Sequence, residues 1–283
     1  KFVFGASLIM IVEDKMDRKK RLKIAIQKAG RLANMSLQLL EKSGIQLSKS
    51  RDQLLCRSQN FPLDVFLVRD DDIPAFLATD VCQLGVLGQN VLREKQAINN
   101  GKFAGLQEEL ALGYGRCRLS IAVPQGFAYD GITSLQGKTI ATSYKGLLGA
   151  YLKANHIDAD IVTMEGAVEV APRTHLADVI CDLVSTGNTL ISNGLVEQDV
   201  ILQSEAVLVK NQIADPDIAK LCDKLMSRIK AVQRAAKRRY KELKKLNTKI
   251  KLKDVKKSLK IRNILDTKRK NSPLLKHRDS VEI

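Results

Sequence analysis

Short runs of β-branched and other apolar residues alternate with stretches of helical periodicity along most of this chain. The runs that predict strands span residues 22–26, 64–68, 84–87, 118–123, 138–142, 160–164, 179–184, 200–202 and 206–209. Between several of them, for example at 37–45 and 147–152, apolar residues recur every three or four positions. Strands that alternate with helices predict an α/β fold with parallel strands.

The alternation ends in one clear helix. Asp215 suits the N-cap and Pro216 suits the first helical position. An apolar stripe with spacings of three and four follows from Ile218 to Val232. The stripe fades after Ala236, and residues 237–283 form a Lys-rich tail. We predict a frayed helix there that runs into disorder.

The positive charge of the chain lies in this tail. The formal net charge is +16, and the segment from Arg228 to the end contains 21 basic and 5 acidic residues. The preceding residues balance 26 basic against 26 acidic side chains. A basic tail with almost no aromatic residues would give salt-dependent affinity for nucleic acid without sequence recognition. The alternative is a solvated or artefactual tail, and we expect no specific nucleic-acid partner.

Cysteines, histidines and the N-terminus exclude several classes of protein. Five scattered cysteines without a CxxC pair predict neither a disulfide framework nor a zinc site, and they fit a reducing, cytoplasmic compartment. The three histidines have no ligand spacing. The apolar run 2–12 is too short to span a bilayer, which needs about 20 residues. We expect residues 1–21 to be an N-terminal extension with Met16 as the true start, although an extra strand is the alternative.

The strongest local signal is CDLVSTGNTL, in which a strand delivers a carboxylate and then a turn of hydroxyls and glycine before a helix start. Backbone N–H groups, hydroxyls and a helix N-terminus suit a phosphate monoester. The alternative is an ordinary capped turn. The residues concerned are Asp182, Ser185, Thr186, Gly187, Asn188 and Thr189.

Three further segments follow predicted strands. Lys28 and Arg31 lie in a glycine-containing loop where α/β sheets bind ligands, although a solvated loop is an equal alternative. Asp70 and Asp71 belong to a triple carboxylate that either attracts a cation or begins a helix before Pro74. Glu169 either serves a ribose or begins a surface helix. P-loop, GxGxxG and GxSxG motifs are absent from the sequence.

The chain from about Leu22 to Ala236 resembles the ATP phosphoribosyltransferase family, the first enzyme of histidine biosynthesis. The matching segments are LKIAIQKAGRL, VRDDDIPAF, LGVLGQNVL, GRCRLSIAVP, KTIATSYKGLL, GAVEVAPR and DVICDLVSTGNTL. The resemblance implies a two-domain, periplasmic-binding-protein-like (type II) hinge fold. Domain I would comprise residues 22–113 and 195–236, and domain II would comprise residues 114–194.

The resemblance also implies a reaction and its residues. ATP and phosphoribosyl pyrophosphate would give phosphoribosyl-ATP and pyrophosphate, with Mg2+ as cofactor. The 5-phosphate would contact Ser185, Thr186, Gly187, Asn188 and Thr189. Glu169 and Asp182 would hold the ribose hydroxyls or the metal, and Lys28 and Arg31 would meet the charge of the leaving group. Asp70, Asp71 and Arg118 are further candidates for substrate binding.

The sequence departs from the family pattern at a few positions. This chain has His175 where the family usually has Gly, and Gln83 and Gln89 near positions that are commonly acidic in the family. It has Lys145 where long members of the family often have Pro. We expect the bulk of His175 to narrow the cleft and to reduce the efficiency of catalysis.

The tail is the largest departure. It stands where long members carry a regulatory domain that binds histidine and packs into a hexamer. A frame shift near Lys237 or a lineage-specific replacement would explain the change. We therefore expect a dimer, leave histidine feedback in doubt, and keep a non-catalytic ligand-binding protein of the same fold as the alternative function.

Overall fold

The computed structural model describes residues 20–48, 54–98 and 101–246, which contain eleven strands and six α-helices. These residues divide into two compact units. Unit 1 comprises the described residues up to Val68, residues 82–84 and those from Gln212 onward. Unit 2 comprises residues 69–81 and 85–211. The domain borders given above stay a prediction.

Unit 1 is built around a parallel pair of buried strands. Its elements are β1 (Leu22–Gln27), α1 (Gly30–Lys42), β2 (Leu55–Arg57), β3 (Leu63–Val68) and α6 (Pro216–Leu246). β1 pairs with β3 in parallel, and β2 pairs with β3 in antiparallel orientation. The apolar side chains of Leu22, Ile24 and Val65 are fully buried, as the near-continuous apolar sequence of these strands predicts.

The helix α6 confirms the prediction from its apolar stripe. The carboxylate of Asp215 accepts hydrogen bonds from the backbone N–H groups of Asp217 (2.9 Å) and Ile218 (3.4 Å), which is N-cap geometry. Ile218, Cys222, Leu225, Ile229 and Val232 are buried along one side. The helix continues ten residues past Ala236 to Leu246. The rest of the tail and residues 1–19 lie outside the described residues.

Unit 2 contains a five-stranded sheet with the order β10-β6-β9-β7-β8. Its elements are α2 (Ile73–Ala78), β4 (Leu84–Gly88, all but Leu84), α3 (Gln89–Ile98), β5 (Gln107–Ala111), β6 (Cys117–Pro124), β7 (Thr139–Thr142), α4 (Lys145–Ala154), β8 (Asp160–Thr163), β9 (Val179–Val184), α5 (Asn188–Ser192), β10 (Leu195–Ser204) and β11 (Ala206–Lys210). β7 is parallel to β8 and β9, whereas β6 is antiparallel to β9 and β10. Outside this sheet, β11 pairs with β5 in antiparallel orientation.

All nine predicted strands coincide with observed ones, and the α/β fold expected from the sequence is confirmed, with antiparallel pairs in addition to the expected parallel ones. Both compact units mix parallel and antiparallel pairs. The sequence also gave no sign of β2 and β5, and it marked only the centre of β10. β5 reads QEELA and leaves its side chains exposed or half-buried, so it lacks the apolar signal of a core strand. None of the described helices combines the length and hydrophobicity needed to cross a bilayer.

Candidate active site

The strand β9 separates its side chains onto two different faces of the sheet. Cys181 and Leu183 pack into a cluster of large aliphatic side chains with Leu119, Ile121 and Leu148. Ile180 and Val184 pack into a second cluster on the other face, and Asp182 lies between them in the strand. Because strand side chains alternate, Asp182 projects on the same face as Ile180 and Val184. We call this the Asp182 face.

The carboxylate of Asp182 is half-buried, and its pKa is raised. Burial is the largest cause, and the negative charge of Glu169 adds to it. A hydrogen bond of 2.7 Å from the backbone N–H of Leu183 acts in the opposite direction. The interaction with Glu169 is the like-charge repulsion that a bound cation would relieve. The structure therefore brings together Asp182 and Glu169, the two carboxylates that were expected from the sequence to hold the ribose or the metal.

Glu169 is presented by a tight, strained segment. It lies in a 3-10 turn (Val168–Val170) that begins directly after Ala167, whose φ of 53° is left-handed. A residue with a Cβ adopts this region at a cost of about 1–2 kcal/mol. Val168 and Ala171 anchor the segment in the cluster on the Asp182 face. Glu169 itself is half-buried beside it.

The turn after β9 is open to solvent. Ser185, Thr186, Asn188 and Thr189 are exposed, and Gly187 has a φ of 83°, which a glycine adopts without strain. Within the described part of the chain, no hydrogen bond engages the hydroxyls of Ser185 and Thr186. We call residues 185–189 the hydroxyl turn. The predicted helix start follows it, but α5 has only five residues.

Arg118 lies on β6 and is held by Glu197 of β10. Its Nε and one terminal nitrogen donate to the two carboxylate oxygens of Glu197. The other terminal nitrogen donates a long hydrogen bond of 3.5 Å to the carbonyl oxygen of Ser185. Arg118 thus reaches the backbone of the hydroxyl turn. Its predicted contact with substrate stays a prediction.

The acidic segment before α2 forms a helix start. Asp70, Asp71 and Asp72 make a 3-10 turn, and Pro74 occupies the beginning of α2. The pKa of Asp70 is raised by burial and by the charge of Asp71, whereas Asp71 and Asp72 are exposed. The acidic residues therefore lie at the start of a helix, as the second of the two interpretations of this segment predicted. A ligand role for Asp70 and Asp71 stays a prediction.

Tyr144 interacts with both of these acidic segments, a role that was not predicted from the sequence. Burial is the main cause of its raised pKa, and the charges of Asp182 and Asp71 both add to it. The side chain of the buried Asn90 donates a 2.8 Å hydrogen bond to the Tyr144 hydroxyl oxygen. The phenol is therefore neutral beside two carboxylates. The only signal in the sequence was its place in the segment KTIATSYKGLL.

Lys28 and Arg31 belong to unit 1, whereas the residues described above belong to unit 2. Lys28 is exposed after β1, and its backbone N–H donates to the carbonyl of Val68 at 2.7 Å. Arg31 lies in the first turn of α1. Their predicted contact with the leaving group stays a prediction.

His175 occupies a backbone conformation that explains the preference for glycine at its position. Its φ is 58°, and it directly follows the 3-10 turn Pro172–Thr174. A glycine would adopt this left-handed conformation without the Cβ strain. The departure at His175 therefore has a local structural cost as well as a bulky side chain.

Comparisons with known proteins agree with this arrangement. The family model of HisG, ATP phosphoribosyltransferase, matches residues 69–231. An ATP phosphoribosyltransferase of Bacteroides fragilis is 42% identical over 219 residues, which is 77% of this chain and 75% of that protein. A solved ATP phosphoribosyl transferase (HisG:HisZ) complex from Thermotoga maritima has 26% identity and a TM-score of 0.63, covering 74% of this chain and 96% of that one.

More distant structures share the fold alone. Tv2483 bound to L-arginine is 14% identical, with a TM-score of 0.50 over 80% of this chain and 90% of that one. The periplasmic-binding-protein-like fold expected from the sequence is confirmed.

Proposed function

This chain belongs to the ATP phosphoribosyltransferase family, and we propose that the Asp182 face and the hydroxyl turn bind its phosphoribosyl pyrophosphate substrate. The family's reaction joins ATP to phosphoribosyl pyrophosphate, releases pyrophosphate and begins histidine biosynthesis. One observation carries the assignment: a single strand end presents the Asp182 carboxylate beside Glu169 and then an open turn of hydroxyls.

The hydroxyl turn would hold the 5-phosphate of the substrate. A phosphate needs several donors that converge on its oxygens. Exposed hydroxyls at Ser185, Thr186 and Thr189 and the amide of Asn188 supply such donors, and Gly187 lets the backbone approach closely. Because α5 is only five residues long, we expect these groups, rather than a helix dipole, to carry most of the interaction.

Asp182 and Glu169 would accept hydrogen bonds from the ribose hydroxyls or hold Mg2+. Mg2+ prefers oxygen ligands, and proteins commonly bind it through one or two carboxylates together with substrate phosphates. Within the described ranges no group of three or more His, Cys, Asp or Glu residues is placed to hold a metal ion. A pair of carboxylates completed by the substrate fits that chemistry. When bound, Mg2+ would neutralise the charge that develops on pyrophosphate.

Lys28 and Arg31 would stabilise the departing pyrophosphate, where negative charge increases in the transition state. Asp70 and Asp71 would contribute further substrate contacts. The attacking N1 of adenine carries no proton at neutral pH, so the chain needs no general base for this step. The protein's contribution would be to align N1 with the ribose C1 and to exclude competing geometries.

A non-catalytic binding protein of the same fold is not favoured. The likeness to solute-binding proteins lies at 14% identity and concerns the fold alone. The family match, in contrast, includes Glu169, Asp182 and the hydroxyl turn.

The proposal also covers the oligomeric state of the protein and its cellular compartment. We propose a homodimer, and the Thermotoga relative, solved as a HisG:HisZ complex, makes a second type of subunit the alternative. No disulfide joins any of the five cysteines, which all lie in the described residues, and four of them are buried, which suits a reducing cytoplasm. Light scattering of the purified chain would distinguish a dimer from a monomer that needs a partner.

An initial-rate assay tests the proposed site. Formation of phosphoribosyl-ATP from ATP and phosphoribosyl pyrophosphate should require Mg2+ and should stop when the metal is chelated. We expect Glu169→Gln to lower kcat/KM by about tenfold or more, as for a lost charge-assisted hydrogen bond. The matched control is Glu165→Gln, an exposed carboxylate of the same loop. Equal rates for both variants would refute the site, and substrate binding without turnover would favour the binding protein.

A further inference from the structure

Glu197 is the centre of a hydrogen-bond cluster on the Asp182 face. Its carboxylate accepts hydrogen bonds from two nitrogens of the Arg118 guanidinium. It also accepts a hydrogen bond of 2.7 Å from the hydroxyl of Ser120. The Arg118 guanidinium is the largest cause that lowers the pKa of Glu197, and Glu197 in turn raises the pKa of Arg118. Ser120 is fully buried. The pair is thus a fixed unit rather than two solvated charges.

The sheet register connects this cluster to the candidate active site. Ser120 lies directly opposite Asp182, and Arg118 lies opposite Val184 at the end of β9. Side chains at such opposite positions stand about 4.5–5.5 Å apart at Cβ. The hydroxyl of Ser120 nevertheless donates to Glu197. Because its hydroxyl donates to Glu197, Ser120 makes no hydrogen bond to the neighbouring Asp182, which accepts one from the backbone N–H of Leu183.

Arg118 links Glu197 to the hydroxyl turn through its hydrogen bonds. Two of its nitrogens are fixed by the carboxylate, and the third donates to the carbonyl of Ser185 at 3.5 Å. A guanidinium is planar, so fixing one edge also fixes the direction of the remaining N–H groups. Without the carboxylate, the guanidinium would lose this orientation.

We propose that Glu197 is a positioning residue for phosphoribosyl pyrophosphate, which acts through Arg118 on the hydroxyl turn and through Ser120 on Asp182. This inference rests on the proposed function of the turn. It gives Arg118 the role of supporting the hydroxyl turn, whereas the sequence-based expectation named Arg118 only as a candidate for substrate binding. Removal of the Glu197 charge should therefore weaken binding of the phosphoribosyl group specifically.

Glu197→Gln and Glu109→Gln form a matched pair of variants. Glu109 pairs with Lys210 at 3.0 Å between β5 and β11, and the side-chain exposures of 21% and 29% closely match the 23% and 30% of Glu197 and Arg118. We expect Glu197→Gln to raise KM for phosphoribosyl pyrophosphate by about tenfold, as for the loss of a charge-assisted hydrogen bond. KM for ATP should stay within twofold. Glu109→Gln should leave both values unchanged.

Arg118→Lys provides a second test that separates positioning from stability. Lysine keeps a positive charge for the Glu197 carboxylate but lacks the guanidinium fork that also reaches Ser185. We expect the variant to retain most of the Tm and still to raise KM for phosphoribosyl pyrophosphate. Calorimetric titration of each variant with ribose 5-phosphate measures the phosphate site without turnover.

The outcomes are distinguishable. Weaker ribose 5-phosphate binding and a raised KM in Glu197→Gln, together with normal values in Glu109→Gln, support the inference. Equal behaviour of the two variants, or a loss of Tm without a change in either constant, overturns it. If the unmodified protein does not form phosphoribosyl-ATP, the proposed function fails, and the ribose 5-phosphate titrations still decide the positioning role.

Discussion

The two faces of the five-stranded sheet in unit 2 are built from alternate residues of the same strands, yet they differ in chemistry. One face buries Leu119, Ile121, Leu148 and Cys181 in a cluster of mainly Leu, Ile and Val. The Asp182 face carries polar groups beside a cluster in which four of nine buried residues are alanine. Burial of small side chains gains less free energy than burial of Leu or Ile. The aliphatic face therefore contributes more to the stability of the sheet, whereas the Asp182 face has less apolar packing and carries the polar groups instead.

Loss of the Asp182 charge should have the largest effect, and it should lower catalytic activity without lowering stability. We expect Asp182→Asn to lower kcat/KM by about 10²–10³-fold, because a positioned charge in the site contributes that much to transition-state stabilisation. Stability should not fall, since burial already disfavours the charged form. Initial rates and thermal unfolding measure the two effects. A fully active Asp182→Asn variant would contradict the division between the faces.

Truncation on the opposite face should show the reverse. Ile121 is fully buried in the aliphatic cluster, and we expect Ile121→Ala to cost about 2–5 kcal/mol of unfolding free energy. The activity of the folded fraction should stay within twofold of the unmodified protein. Denaturant titration together with active-site titration checks this. A selective loss of activity at unchanged stability would show that the two faces are not separable.

The pH dependence of stability should have opposite signs for Asp182 and Glu197. Raised pKa values favour the protonated form in the folded state, so the Asp182 charge costs stability above its ordinary range near pH 3.8. Asp182→Asn should therefore stabilise at pH 7 and lose this advantage in acid. The lowered pKa of Glu197 means that its ion pair stabilises above about pH 4.5 and is lost as the pH falls through the folded-state value. Glu197→Gln should thus destabilise at pH 7 and have little effect in acid.

Unfolding of both variants between pH 3 and 8 would test these signs. Parallel pH profiles for Asp182→Asn and Glu197→Gln would contradict the assignment, because the two carboxylates would then share one environment.

The smallest effects concern two histidines with the same strained backbone. His156 and His175 both have a φ of 58°. Replacement of either by Gly should relieve about 1–2 kcal/mol of strain; because glycine makes the unfolded chain more flexible, the net gain in stability should be no more than about 1 kcal/mol. His175 follows the segment that presents Glu169, whereas His156 follows α4. We expect similar gains in Tm, and a change of KM for phosphoribosyl pyrophosphate only in His175→Gly. Equal KM values would show that the bulk of His175 does not restrict the site.

Most strands and the segment of the site could be predicted from the sequence, because both depend on local patterns. The run from Val179 to Val184 is β9; the strand contains Asp182, and the hydroxyls of the turn follow it, as the pattern indicated.

The remainder depended on partners that are distant in the sequence. Glu197 reaches Arg118 across 79 positions and was not identified, because nothing in the local pattern of β10 marks it. Tyr144 was missed because its hydroxyl meets Asn90 and the two acidic segments only after folding. The strands β2 and β5 lack an apolar signal because they are short and partly exposed.

The binding constant of phosphoribosyl pyrophosphate tests the central claim most directly. Ser185→Ala combined with Thr186→Val removes two exposed hydroxyls and leaves the core untouched. Hydrogen bonds to a charged group contribute about 1.5–3 kcal/mol each, so calorimetric titration should give a Kd at least about tenfold higher than that of the unmodified protein. An unchanged Kd in the double variant would contradict the assignment of the hydroxyl turn as the phosphate site.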